Sequence, residues 1–175
     1  MRVAFFVHCF FPSHYFGTET YTLELARHYR KMGVDARVVT AIFPGEPPAP
    51  DLVTHYEFEG IPVTCIDKNR LPNTRVKDTY YQPDMRPILT QVLRGIRPDV
   101  VHVTHLVNHT AALLEVVREL GIPTFASCTD FFGFCFNNRL EAADGSLCAG
   151  AAPDRSNCMV CYVRDAGRQP NARAL

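Results

Sequence analysis

The chain has no excess of either charge. Lys plus Arg number 18 and Asp plus Glu number 18 over 175 residues. That balance removes the basic footprint of a nucleic-acid binder and the polybasic stretch of a lipid anchor. No apolar run approaches the length of a membrane span. The opening residues, Met1 to Val7, are apolar too briefly for a secretory signal and lack a small-residue cleavage site. No G-x-G-x-x-G occurs, which argues against a nicotinamide-dependent enzyme. There is no internal repeat and no low-complexity tract. These absences point to a cytoplasmic setting, with room for peripheral association at the inner face of a membrane.

What is present begins with cysteine. Cys135, Cys148, Cys158 and Cys161 follow a C-x12-C-x9-C-x2-C spacing. The two-residue gap lets Cys158 and Cys161 bite one ion from a tight turn, and two upstream thiolates would complete the tetrahedron of a structural zinc site. The stretch from Asn137 to Asn157 is rich in Gly, Ala, Asp, Asn and Ser, so it has little with which to build a core. A metal would supply its folding energy directly. Free thiols, a redox C-x-x-C and a disulfide framework stay open beside zinc. The last is expected mainly in secreted chains. Cys9, Cys65 and Cys128 lie in or beside apolar runs and read as buried neutral thiols.

Apolar residues make up 47% of the chain, enough for one domain with a sizeable core. Arg2 to His8 reads as a parallel strand buried on both faces. A loop over Cys9 to Gly17 follows. A helix then runs from Thr18, as its N-cap, to Met32, with Tyr21, Leu25, Ala26, Tyr29 and Met32 on one stripe. Gly33 ends it. Ala36 to Ala41 is the next strand, which makes a right-handed β-α-β unit. Val53 to Phe58 and Ile61 to Ile66 flank Glu59-Gly60 as a hairpin. Residues 67 to 82 read as a long loop. A helix from Asp84 to Ile96, a strand from Val100 to Val103, a helix from Thr110 to Leu120 and a strand from Pro123 to Ser127 complete the pattern. This alternation predicts an α/β fold: a Rossmann-like open parallel sheet with helices on both faces, plus a Cys-rich C-terminal segment. Residues 1–134 form the Rossmann-like domain in this reading, and 135–175 a Cys-rich metal-binding segment packed on it.

Ligands of such folds bind beyond the carboxyl ends of the strands. The loop after the first strand carries His14, Gly17, Thr18 and Glu19. A glycine just before a helix admits an anion to the free amides, or it merely makes a turn. The loop after Val103 carries His105 and His109, placed to meet a ligand, or else exposed or helix-capping. His102, inside the strand, reads as a core histidine. The loop after Ser127 carries Thr129 and Asp130. The carboxylate would orient a hydroxyl-rich substrate or serve a turn.

Taken in order, these pieces resemble the amino-terminal half of retaining family 4 glycosyltransferases of the GT-B fold. The family's F-x-P then G-G-x-E is matched by Phe10-Phe11-Pro12 and Gly17-Thr18-Glu19. Its L-A-x-x-L-x-x-x-G-H helix end is matched by Leu25-Ala26 through Gly33-Val34. Glu59-Gly60-Ile61-Pro62-Val63 is similar to its hairpin, and Arg97-Pro98-Asp99-Val100-Val101-His102-Val103 to its K/R-P-D-V-V-H-x-H strand. Gly121-Ile122-Pro123-Thr124-Phe125, then Thr129-Asp130-Phe131-Phe132, is similar to G-I-P-V-V followed by H-D-F/Y-W. Some members continue with a cysteine, D-G-x-x-C and C-x-x-C, matched by Cys135, Asp144 to Cys148, and Cys158 to Cys161. Two positions depart from the pattern. The second loop glycine is Thr18, and the histidine of the H-D pair is Thr129, which cannot be cationic.

The resemblance implies the acceptor-binding half of an enzyme that moves a sugar from a nucleotide-sugar to an acceptor hydroxyl, a hexosyltransferase type. Catalytic candidates are His105, Asp130 and Thr129. Substrate-binding candidates are Gly17, Thr18, Glu19, His14 and His109. The partners implied are a sugar or glycolipid acceptor and a carboxyl-terminal domain holding the donor. That domain's E-x7-E motif has no counterpart here, so the chain reads as a fragment, inactive alone. The alternative is a standalone zinc-stabilised α/β module that binds a ligand or protein without catalysis.

Overall fold

The computed structural model of the protein describes residues 1–135 and 137–166. The chain divides into two compact units, Met1–Thr129 and Asp130–Leu175. The expected division stood at residues 134 and 135.

The first unit is built on a six-stranded sheet. Its strands are β1 (Arg2–Phe6), β2 (Asp35–Ile42), β3 (Val53–Phe58), β4 (Ile61–Asp67), β5 (Val100–Val103) and β6 (Thr124–Ala126). They lie in the order β3-β4-β2-β1-β5-β6. All pairings are parallel except β3 with β4, an antiparallel edge hairpin. The sheet is therefore mainly parallel rather than wholly so. The hairpin turns through Glu59 and Gly60 at φ 51° and 77°. Two successive positive φ values are what a two-residue turn of the twist-matched type needs, and glycine meets the second without strain.

Helices cover both faces. They are α1 (Gly17–Lys31), α2 (Met85–Ile96) and α3 (Ala112–Glu119). Strand side chains alternate between faces, so neighbours in β1 serve different cores. Val3 and Phe5 pack with Leu23 and Ala26 of α1. Ala4 and Phe6 pack with Leu89 and Leu93 of α2 and Leu113 and Val117 of α3. The continuous apolar run of β1 follows from its central place between β2 and β5.

Element ends differ from expectation where local chemistry is shared. Helix α1 begins at Gly17, with Phe16 at the N-cap and no side-chain cap. Thr18 is thus inside the first turn, and its hydroxyl is used elsewhere. The stretch 67–82 contains two short 3-10 turns, Lys68–Arg70 and Val76–Thr79. The first is capped by Asp67, whose carboxylate accepts from the Asn69 N–H.

The second unit holds an isolated bridge between Glu141 and Leu147 and a helix, α4 (Ser156–Ala166). The sequence reading had no helix here. Cys158 and Cys161 therefore stand three residues apart on a helix, where side chains share a face, and not in a tight turn. Among the described residues no helix is long and apolar enough to cross a membrane.

Candidate functional site

The carboxyl ends of β1, β5 and β6 and the start of α1 meet at one place in the first unit. Parallel strands bring this about, because their carboxyl ends share an edge. At Gly17, the exposed first residue of α1, an added Cβ would meet no atom within 4 Å. Tyr15 and Phe16 lead into it with their rings stacked at 5.8 Å, 67% and 71% exposed.

A run of threonine hydrogen bonds crosses the site. The Thr18 hydroxyl donates to Thr129 Oγ1 at 3.0 Å. The Thr129 hydroxyl donates to the Thr104 carbonyl at 3.2 Å. The Thr104 hydroxyl is buried, 2.8 Å from that of Thr22 and 3.1 Å from the Phe6 carbonyl. Nearby, Ser127 Oγ lies 3.0 Å from the Tyr21 hydroxyl and 2.9 Å from His102 Nε2. His102 is buried between Phe5 and Phe125. Burial holds its imidazole down to a pKa of about 4.

His105 sits past the end of β5. Its backbone N–H donates to the Phe6 carbonyl at 3.1 Å, and its Nδ1 accepts from the Val107 N–H at 3.1 Å. That acceptor role assigns the remaining ring proton of the neutral form to Nε2. The His105 ring lies 4.3 Å from that of His8. His8 and Cys9 follow β1, and both address Glu19. His8 Nε2 is 3.2 Å from Glu19 Oε1, and the Cys9 thiol donates to the same oxygen at 3.0 Å. Glu19 is 1% exposed. Its other oxygen, Oε2, has no hydrogen-bond partner. Burial, reinforced by the Glu19 carboxylate, pushes the Cys9 thiol far above the usual range.

The candidates from the sequence thus divide. Gly17, Thr18, Thr129 and His105 are brought together at one edge. Glu19 is buried beneath it, bonded to protein groups. His109 is fully buried, with Nε2 2.9 Å from the Val7 carbonyl and its ring edge-on to Phe6. Burial is the main cause that lowers its pKa to about 4. It holds the loop to β1 rather than facing solvent. His14 pairs with Glu46 at 2.9 Å. With Phe10, Phe11, Thr40, Tyr56 and Cys65 it lines a neighbouring cavity of about 450 Å³. Asp130 belongs to the second unit, where its carboxylate accepts from the Phe132 N–H at 2.9 Å, as a turn residue does.

Sequence reasoning passed over His8, Thr104, Tyr21 and Ser127. His8 had one signal, its place directly after an apolar strand. The other three are joined by contacts across long sequence separations.

In the second unit Cys135, Cys148, Cys158 and Cys161 all line one cavity of about 70 Å³. The Gly150 N–H points to Cys148 Sγ at 3.4 Å. The Cys135 thiol donates to Asn137 Oδ1 at 2.8 Å. Among the described residues, only His8, Cys9 and Glu19 bring three ligand atoms within 4.8 Å of one another. No three of the four cysteines of the second unit close to that distance.

The fold defines a Rossmann-like domain with a polar edge at the carboxyl ends of β1, β5 and β6. The chain belongs to the glycosyl transferase 4-like domain family, which it matches over residues 16–161. Among solved structures it is similar to the catalytic domain of starch synthase IV from Arabidopsis thaliana, bound to ADP and acarbose. The identity is 14%, the TM-score 0.40, and the match covers 71% of this chain and 32% of that one. The chain thus spans about a third of that structure's length. No curated protein matches it by sequence.

Proposed function

We propose that the chain is the acceptor-binding half of a retaining glycosyltransferase that moves a sugar from a nucleotide-sugar to an acceptor hydroxyl. The observation that carries this reading is the Thr18–Thr129 hydroxyl pair, ending on the Thr104 carbonyl, beside the exposed start of α1. Hydroxyls that both donate and accept suit a sugar, whose own hydroxyls do the same. The exposed Tyr15 and Phe16 rings offer faces on which a sugar ring or a partner surface packs. His105, just past the end of β5, would face an acceptor oxygen. A glycolipid acceptor would place its apolar part in the cavity under Phe10 and Phe11.

Donor binding and turnover fall to a second domain in this reading, so the chain alone binds without transferring. The four cysteines of the second unit would hold a structural zinc ion. Their fit rests on a donor set of four sulfurs lining one cavity, with Cys158 and Cys161 on one helical turn. Bound zinc would supply folding energy to a segment with little core and no catalytic step.

The test is saturation-transfer NMR on the chain, with a panel of monosaccharides, disaccharides and alkyl glycosides. Binding to at least one, lost in Gly17→Leu, is expected. If no saccharide binds while the chain is folded, the module that recognises protein or another ligand takes its place.

A further inference from the structure

We propose that His8, Cys9 and Glu19 form a second metal site, for a zinc-like divalent ion, separate from the cysteine cluster of the second unit. Their ligand atoms all lie within 4.8 Å of one another. Two elements bring them together: His8 and Cys9 leave the end of β1, and Glu19 stands in the first turn of α1. Glu19 and Cys9 are 1% and 3% exposed. Enclosure of this kind is not what a scattered surface carboxylate shows.

The unmet valence at Glu19 is the second observation. Oε1 receives the Cys9 thiol and faces His8 Nε2, while Oε2 is buried with no hydrogen-bond partner. A buried carboxylate oxygen left unpaired is costly. An ion held by both carboxylate oxygens of Glu19 would remove that cost.

The donor set selects the ion. One sulfur, one imidazole nitrogen and one carboxylate oxygen make a three-ligand set that leaves a fourth position open, as zinc takes in open sites. Magnesium and calcium favour oxygen alone. A thiolate favours softer ions. The charges also close: a doubly positive ion against one thiolate and one carboxylate is neutral, which a buried place tolerates. On binding, the ion takes the place of the Cys9 thiol proton, which leaves to water. His8 offers the Nε2 lone pair and keeps its ring proton on Nδ1. Nothing is oxidised or reduced. The His8 side chain, 19% exposed, marks the way in. This inference stands apart from the sugar-transfer reading.

The test uses the whole chain, reduced and stripped by chelator, titrated with Co²⁺ and followed by thiolate-to-cobalt charge-transfer absorption. Cys9→Ser and Glu19→Gln are titrated beside it. Serine keeps a hydroxyl donor toward Glu19, and thermal unfolding checks that each variant is folded. The intact chain is expected to take up one more equivalent than Cys9→Ser. Glu19→Gln should weaken that equivalent by about tenfold or more. The cysteine cluster contributes equally to all three and cancels in the difference. Equal stoichiometry and affinity in all three overturns the site. If Cys9→Ser does not fold, unchanged affinity in Glu19→Gln overturns it alone.

Discussion

The Thr18 hydroxyl donates to Thr129 Oγ1 at 3.0 Å. These are the two positions at which the chain departs from the pattern of the family it resembles, and they touch. A glycine at 18 could not make this bond, and a histidine at 129 would bring an imidazole against the Thr18 side chain. The two departures therefore act as a pair across 111 residues of sequence.

A double-mutant cycle over Thr18→Ala and Thr129→Ala measures that pairing. A coupling of about 0.5–1 kcal/mol is expected for one partly exposed hydroxyl pair, read by urea unfolding. Additive single effects would mean the bond is not formed in solution. Thr129→His should lower the unfolding midpoint more in the presence of Thr18 than with Thr18→Gly.

Acid should weaken the first unit through two histidines. His102 and His109 are held near pKa 4 chiefly by burial, against about 6.5 in an unfolded chain. Between those values the unfolded state binds more protons. The stability they contribute is complete above pH 6.5 and is lost as the pH falls toward about 4. For His109 the loss approaches about 3 kcal/mol. NMR titration should find both imidazoles neutral down to pH 5. Midpoints near 6.5 would sink this account.

Thiol reactivity should follow burial. Cys128 is exposed, whereas Cys9 and Cys65 are buried. Burial raises the Cys65 thiol to about 11, and the thiolate is the reactive form. Brief alkylation of native protein at pH 8, mapped by mass spectrometry, should label Cys128 and spare Cys9 and Cys65. Early labelling of Cys65 would show that the β4 side of the cavity opens.

Metal removal should loosen the second unit if its four thiolates hold zinc. Chelation is expected to release an ion, expose Cys135, Cys148, Cys158 and Cys161 to alkylation, and reduce the helical signal of α4. Cys158→Ser should reproduce the effect without chelator. Indifference of these thiols and of α4 to chelator would remove zinc from the second unit.

Much of the fold was legible because strands and helices carry their own periods. The run from Arg2 and the stripe of α1 each state which element forms and which face is buried. The turn at Glu59-Gly60 was equally local. The site was legible only as a set of loops, since the carboxyl ends of parallel strands share an edge whatever residues they carry. The helix at Ser156–Ala166 was missed because its apolar residues, Cys158 to Val163, form one unbroken run without helical spacing, and its two cysteines were read as a metal-binding turn.

By itself, then, the sequence determined the alternation of elements, the mainly parallel sheet and the spacing of the four cysteines. Tertiary structure decided the rest. It turned His109 inward to the Val7 carbonyl and buried Glu19 beneath the edge. It tied Thr18 to Thr129 and set His105 beside His8. The physical reason is range. Secondary structure and turns answer to neighbours a few residues away. A side chain's burial, its charge and its partners answer to segments a hundred residues distant, which only the packed sheet brings within reach.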